Sequence, residues 1–298
     1  MKWSARLKGK LKFKEPLKKY SNFKIGGEAS VLFEPQNTND LINCLVYAKK
    51  NKIPYFVIGN GTNVLISDKG FKGVVIRLAS PYFKRISIKN NIVTAGAGLG
   101  IKDLIRRLLE TNLSGYEFLT GIPASIGGAL VMNAGVTKEG KRFSICDIVY
   151  KVKVLNKKGK VFNIARDKIK FNYRRSGLDK YIVLGAQLKL NKGKKSDIEK
   201  RIKDYLCLRR QRQDYSKPNI GCIFRNPSVY LSAGMLIDKC GFKGRHCGGA
   251  MVSKKHANFI LNFNRAKASD VIKLMETIKK KVRNNFDISL REEIKLVS

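Results

Sequence analysis

Acidic residues are scarce: 22 Asp and Glu stand against 61 Lys and Arg, a formal net charge of +39 over 298 residues. The chain also lacks any CxxC pair, since Cys44, Cys146, Cys207, Cys222, Cys240 and Cys247 are never closer than seven positions. No apolar run approaches the roughly 18–20 residues of a membrane-spanning helix, so no membrane partner is expected. The N-terminus, MKWSARLKGKLKFKEPLKKY, is basic but has no continuous apolar core, unlike a secretory signal. The expected location is therefore cytoplasmic, where disulfides are unusual and reduced, mostly buried thiols are the ordinary state. A zinc site built from Cys240, His246, Cys247 and His256 would match no usual ligand spacing, and no metal is expected. There is no internal repeat, no low-complexity tail and no GxGxxG fingerprint of a Rossmann dinucleotide site.

What is present is the composition of a globular protein of two or three domains, 43% hydrophobic and 9% aromatic. The positive charge is mostly lysine and is scattered, except across residues 111–137, TNLSGYEFLTGIPASIGGALVMNAGVT, which hold no Lys or Arg. A nucleic-acid binder concentrates charge with aromatics in a recognisable module. None appears, so no nucleic-acid partner is expected. Steering of anionic substrates and a lysine-biased proteome both account for such a balance.

Helical and strand patterns alternate. Residues 37–51 carry Asn and Asp caps with Leu41, Leu45 and Ala48 on one face, and 101–110 place Ile101, Leu104, Ile105 and Leu108 together. A buried strand running into a glycine turn is expected at 54–63, further strands at 73–78, 91–98 and 181–190, and a hairpin at 149–164 around Lys-Lys-Gly. NKGKKSD (191–197) reads as a linker, and Ser196 with Glu199 as the capping box of the next helix. A short helix is expected in 232–241, from Ser to Gly, and a longer one in 269–286, with Val271, Met275, Ile278 and Val282 on one face. Strands at 257–263 and in the last dozen residues complete the reading.

Two glycine stretches could cradle an anion. GNGTNVL (59–65) follows a strand and sets two glycines beside Thr62 and Asn63; GIPASIGGALVMNAG (121–135) adds a rigid proline and a serine before a helix-capable run. Taken singly, each also reads as an ordinary tight turn. GVTKEGKR (135–142) resembles a P-loop, but Arg142 replaces the hydroxyl residue that binds magnesium, which excludes it. GCIFRNP (221–227) places Cys222 before an Arg-Asn-Pro turn, where a thiol could be apolar filler, metal ligand, redox group or acid–base catalyst.

In order, NFKIGG (22–27), GNGTNVL, GIPASIGGALVMNAG, YRRS (173–176), GCIFRNP, AGMLIDKCGFKG (233–244), VSKKHANFILN (252–262) and LREE (290–293) resemble the motifs of the UDP-N-acetylenolpyruvoylglucosamine reductase family. The resemblance covers about residues 20–297 and rests on eight ordered motifs. It implies an α+β fold: a vanillyl-alcohol-oxidase/PCMH-type FAD-binding region of two α+β subdomains plus a third α+β substrate domain. The implied boundaries are a basic extension at 1–19, the FAD region at 20–190 (subdomains near 20–80 and 81–190), the substrate domain at 191–286 and a returning segment at 287–298. SGLDKY leaves no room for the tyrosine-bearing loop that one branch inserts after YRRS, so the resemblance is to the branch without it.

The resemblance further implies FAD as cofactor, NADPH as co-substrate and UDP-GlcNAc-enolpyruvate as the small molecule reduced in peptidoglycan synthesis, by a monomer. Hydride would pass from flavin N5 to C3 of the enolpyruvyl group, and C2 would be protonated. Gly59, Asn60, Gly61, Thr62, Asn63, Gly121, Pro123, Ala124, Ser125, Gly128 and Asn133 match FAD-contacting positions. Arg174 matches the arginine that polarises the substrate carboxylate, a job suited to a permanent, forked cation, and its neighbour Arg175 falls outside the match. Glu293 matches an acid that stabilises the intermediate, with Glu292 as the alternative register. Asn226, Lys255 and His256 fall where substrate contacts are expected, although Lys255 and His256 also read as solvated or structural residues. Cys222 falls on the proton-donor position, where most relatives have serine. A thiol gives up a proton more readily than an alcohol but is open to oxidation. Two rivals stay in view: another flavin oxidoreductase acting on a hydroxy acid or alcohol, and a basic nucleic-acid binder.

Overall fold

The computed structural model describes residues 7–298. Of the basic stretch 1–19, residues 1–6 lie outside the described residues, while Lys10–Pro16 is a strand and Leu17–Tyr20 a 3₁₀ turn. The chain forms two compact units. Unit 1 holds residues 7–12, Val31–Asn60 and Gly73–Arg209; unit 2 holds Phe13–Ser30, Gly61–Lys72 and Arg210–Ser298.

Unit 1 contains helices α1 (Thr38–Lys50), α2 (Ile101–Leu108), α3 (Ile126–Val131) and most of α4 (Lys195–Arg212). The helical faces read from the sequence are the buried ones: Leu41, Leu45 and Ala48 on α1, and Ile101, Leu104, Ile105 and Leu108 on α2. Asn37 caps α1 by accepting from the Asp40 N–H at 3.0 Å. A five-stranded antiparallel sheet runs Val161–Ala165, Val149–Leu155, Ile182–Lys189, Ile92–Gly96, Ile86–Lys89. Its first pair is the expected hairpin, closed by Asn156, whose Oδ1 accepts from the N–H groups of Lys158 and Lys160 at 2.9 Å. Tyr55–Ile58 pairs in parallel with a neighbouring strand, from Tyr55 opposite Val74 to Ile58 opposite Arg77. The P-loop look-alike is another hairpin, Gly135–Lys138 with Lys141–Ser144, turned through Glu139 and Gly140 at φ 51° and 74°.

Two local expectations need correcting. NKGKKSD is not a loose linker: Asn191–Lys192 pairs with Leu113–Ser114, and Gly193 N–H donates to the Asn112 carbonyl at 2.8 Å. Helix α4 begins at Lys195, and the Lys194 carbonyl accepts from Asp197 and Ile198, so Ser196 lies inside the first turn and cannot cap it. The earlier start wins because the backbone is already held by the short strand pair.

Unit 2 contains α5 (Ala233–Lys239) and α6 (Ala268–Phe286), a three-stranded sheet, His246–Cys247, Ala250–Val252, Ile260–Asn262, and the parallel pair Val64–Ile66 with Lys295–Val297. Ser232 caps α5 at Met235 N–H, and Gly241 follows its end at φ 70°. The expected strands at 257–263 and the C-terminus are each realised over three residues. Each unit has its own apolar core, built in unit 2 on Phe23, Phe224, Leu236, Val271, Ile278 and Val282 among others. No disulfide joins the six cysteines, and only Cys44 and Cys240 are buried, fewer than expected.

Candidate active site

In unit 1 the first glycine turn leaves the strand Tyr55–Ile58 and meets the second. Asn60 Nδ2 donates to the Pro123 carbonyl at 3.0 Å, and a Cβ on Gly59 would stand 2.6 Å from Ser125 Oγ. Ser125 caps α3 by accepting from Gly128 N–H at 3.3 Å. Among the described residues, the N–H groups of Asn60, Ala124 and Ser125 meet no protein acceptor. Unspent main-chain donors on two turns pinned together, with no side chain at Gly59, fit an anionic group such as a pyrophosphate. Gly121 (φ 78°) and Pro123 shape the second turn, and Ala124 accepts from Ile101 N–H at 2.9 Å.

Asn133, matched to the cofactor, is buried and has a structural duty. Its Nδ2 donates to the Asn172 carbonyl at 3.0 Å and its Oδ1 accepts from Cys146 N–H at 3.3 Å. The turn it holds is that of YRRS: Asn172 and Arg175 exchange two backbone hydrogen bonds, and buried Ser176 donates its hydroxyl to the Val131 carbonyl at 2.9 Å. Arg174 therefore stands at the apex of an anchored turn, half-buried, at φ 54°, a left-handed conformation that costs a non-glycine residue free energy. Its Nη1 donates to the Gly135 carbonyl at 3.2 Å, whereas the side chain of Arg175 is exposed.

In unit 2, Gly61 and Asn63 make contacts within the protein itself. A Cβ on Gly61 (φ 65°) would run into the Tyr20 carbonyl, so glycine is required there by protein backbone alone. Asn63 Nδ2 donates to the Glu293 carbonyl at 3.1 Å, and the Asn63 carbonyl accepts from Lys295 N–H at 3.0 Å. Thr62 lies between them, half-buried.

The segment carrying Cys222 is threaded between two others. Cys222 bridges Phe259, Phe224 bridges Glu292, Ile223 N–H donates to the Asn258 carbonyl at 2.9 Å, and Glu293 N–H donates to the Ile223 carbonyl at 2.8 Å. Cys222 and Glu293, 71 positions apart in sequence, thus lie on adjacent hydrogen-bonded segments, and both are half-buried. Glu292 is committed elsewhere: Lys279 Nζ donates to its Oε1 at 2.8 Å. Although burial raises its pKa, this pairing holds the carboxyl below its usual value.

Around that segment the other implied contacts fall into place unequally. Asn226 is exposed, and its Oδ1 accepts from Ala233 N–H at 3.1 Å, closing the loop before α5. Lys255 Nζ reaches the Arg210 carbonyl. His256 Nδ1 accepts from Asn258 N–H at 3.2 Å, and its ring packs 4.7 Å from that of Phe259. Burial pushes its pKa down, against a smaller opposing pull from its own backbone, and Lys243 adds to the fall. It is therefore a neutral structural acceptor. Sequence reasoning missed three polar residues that build this region: Asp214, Ser253 and Asn258. Asn258, set inside the apolar run ANFILNF, was the available signal. Among the described residues, no group of three or more His, Cys, Asp or Glu is placed to hold a metal, and no helix is long and apolar enough to cross a membrane.

Comparison with known proteins adds the rest. Residues 29–165 match the FAD binding domain family and 213–297 the C-terminal domain family of UDP-N-acetylenolpyruvoylglucosamine reductase. The chain is 39% identical to the UDP-N-acetylenolpyruvoylglucosamine reductase of Caldanaerobacter subterraneus subsp. tengcongensis, over 97% of this chain and 94% of the relative. It is 37% identical to that of Clostridioides difficile, over 96% and 93%. The crystal structure of the Thermus caldophilus reductase superposes with a TM-score of 0.81 at 32% identity, covering 98% of this chain and all of that one. A glucose dehydrogenase, Phl p 4.0202, shares the fold alone, at TM-score 0.50 and 14% identity over 62% of this chain. The fold is thus α+β, with the FAD-binding architecture of the vanillyl-alcohol-oxidase/PCMH type, and FAD is the cofactor.

Proposed function

This chain belongs to the UDP-N-acetylenolpyruvoylglucosamine reductase family, a family of flavin-dependent oxidoreductases, and on that premise we propose that it reduces UDP-GlcNAc-enolpyruvate to UDP-N-acetylmuramate with NADPH, as a cytoplasmic monomer in peptidoglycan synthesis. In this reading residues 20–190 hold the cofactor, 191–286 the substrate, and 287–298 carry Glu293 back to the Cys222 segment. The observation that carries it is the backbone bond from Glu293 to Ile223, which ties the two acids of the reaction into one frame.

FAD, when bound, supplies hydride chemistry between NADPH and C3 of the enolpyruvyl group. The main-chain donors of Asn60, Ala124 and Ser125 would hold its pyrophosphate. Arg174, a cation that cannot be neutralised at working pH, binds the substrate carboxylate and takes up the negative charge that develops there during reduction. Glu293 donates a hydrogen bond to the intermediate, and Cys222 delivers its thiol proton to C2. Asn226 and Lys255 contact the substrate, whereas His256 shapes the turn that carries Lys255.

The purified protein is expected to be yellow, to bleach with NADPH and to recover its colour faster with UDP-GlcNAc-enolpyruvate than with air. Cys222→Ala should leave the NADPH step within about twofold and slow recovery by about 10²-fold or more, the usual scale of a lost general acid, while Cys222→Ser retains most of it. Equal loss of both steps, or of neither, would overturn the assignment. A nucleic-acid binder would show no flavin at all.

A further inference from the structure

Asn258 makes more bonds to the Cys222 segment than any backbone pairing does. Its carbonyl accepts from Ile223 N–H at 2.9 Å, its Oδ1 accepts from Phe224 N–H at 2.9 Å, and its Nδ2 donates to the Phe224 carbonyl at 2.7 Å. The side-chain amide thus replaces a strand where regular pairing stops after the Cys222–Phe259 bridge. Across the segment, Glu293 and Arg225 supply the opposite bonds, Glu293 N–H to the Ile223 carbonyl and Arg225 N–H to the Arg291 carbonyl at 2.9 Å. Every main-chain polar group of Ile223 and Phe224 is thereby fixed, and Asn258 supplies three of those four bonds.

Asn258 is itself held. It is 2% exposed, and its N–H donates to His256 Nδ1. His256 and Lys255 donate their N–H groups to Ser253 Oγ at 3.1 and 3.0 Å, and Ser253, fully buried, donates its hydroxyl to Asp214 Oδ2 at 2.5 Å. The other oxygen of Asp214 accepts from the Ser216 hydroxyl at 2.6 Å and its N–H at 2.9 Å. A buried chain of bonds therefore runs from Asp214 through Ser253 and the 253–256 turn to Asn258. Both ends lie in unit 2.

We propose that Asn258 is a positioning residue: its amide sets where the Cys222 thiol stands relative to the Glu293 segment, with Asp214 and Ser253 holding the amide in place. A leucine or threonine could fill the same buried space, but only a group that both accepts and donates within one plane can pair both polar groups of Phe224. The kinetic consequence rests on the reading of Cys222 as proton donor; the positioning itself does not.

Asn258→Asp separates the two. The carboxylate keeps the shape and the acceptor for Phe224 N–H but offers no donor to the Phe224 carbonyl. The FAD-loaded variant is compared with the parent by site-resolved iodoacetamide labelling across pH 6–10, with exposed Cys207 as internal control, and by the two half-reactions. The pH profile of Cys222 labelling is expected to shift while that of Cys207 does not. Flavin reduction by NADPH should stay within about twofold while reoxidation by substrate slows tenfold or more, since displacements near 1 Å cost such factors. A folded variant with an unchanged Cys222 profile and unchanged reoxidation overturns the proposal. A shifted profile with full reoxidation leaves the positioning role standing and removes Cys222 from the chemistry. If Asn258→Asp does not fold, Asp214→Asn, at the far end of the chain of bonds, is expected to give both changes in smaller measure, and their absence overturns the proposal equally.

Discussion

His256 and Cys44 show how burial, rather than residue type, fixes what a side chain does. Burial lowers the His256 pKa below its ordinary value near 6.5. Between the folded and unfolded pKa values the unfolded chain binds more protons, so stability is complete above about pH 6.5 and falls as the pH drops toward the folded value. Thermal unfolding followed from pH 7.5 to 5 should show Tm falling through this window, with the slope reduced in His256→Gln. Asp214 and Glu292 act lower. Hydrogen bonds from Ser216 and Ser253 outweigh the effect of burial on Asp214, and its carboxyl pKa is depressed; Lys279 does the same for Glu292. Their stabilisation is lost only as the pH falls below the carboxylate range near 4, which keeps the two effects apart. Cys44 is pushed up to about 12, by burial first and the nearby Asp40 charge second. Because the thiolate is the nucleophile, native protein at pH 8 should label with iodoacetamide at exposed Cys207 well before Cys44, and equal labelling would contradict this burial.

Helix α6 shows how far an element can be read in advance. Its apolar face, Val271, Met275, Ile278 and Val282, is buried as the 3.6-residue spacing requires. Its start is fixed from 200 positions away, where Asp68 Oδ1 and Oδ2 accept from the N–H groups of Ala268 and Ser269 at 2.7 and 3.0 Å. Asp68→Ala should cost about 1 kcal/mol, the usual value of a lost N-terminal cap, and Ile278→Ala about 2–5 kcal/mol through the cavity left behind. The sites are about 15 Å apart along the helix, so the double variant should unfold in urea with the sum of the two losses. Faces of this kind are legible because they depend on spacing within a dozen residues. The cap from Asp68 is not, since it depends on a loop elsewhere in the chain. The misplaced start of α4 has the same origin: Ser196 had the right chemistry, but Gly193 was already bonded to Asn112.

For the molecule as a whole, the net charge of +39 is spread over two units with separate cores and bears on encounter with ligands more than on the fold. Both proposed substrates are anionic, so kcat/KM for each should fall as ionic strength rises from about 0.01 to 0.5 M, where the Debye length shrinks from about 30 Å to a few ångströms. An invariant kcat/KM measured by stopped-flow reduction would show that the charge steers neither substrate.

The sequence alone determined the family, the cofactor class and most helical faces, because ordered motifs and local periodicity survive without coordinates. It also placed Arg174, Cys222 and Glu293 as candidates. Tertiary structure decided which of the remaining polar residues are spent on the protein itself. Gly61 yields to the Tyr20 carbonyl, Asn63 holds the Glu293 segment, Asn133 holds the Arg174 turn and His256 serves Asn258. Apart from the steric demand at Gly61, those duties are hydrogen bonds between residues up to 230 positions apart, and a buried amide must satisfy whatever backbone the fold happens to bring beside it.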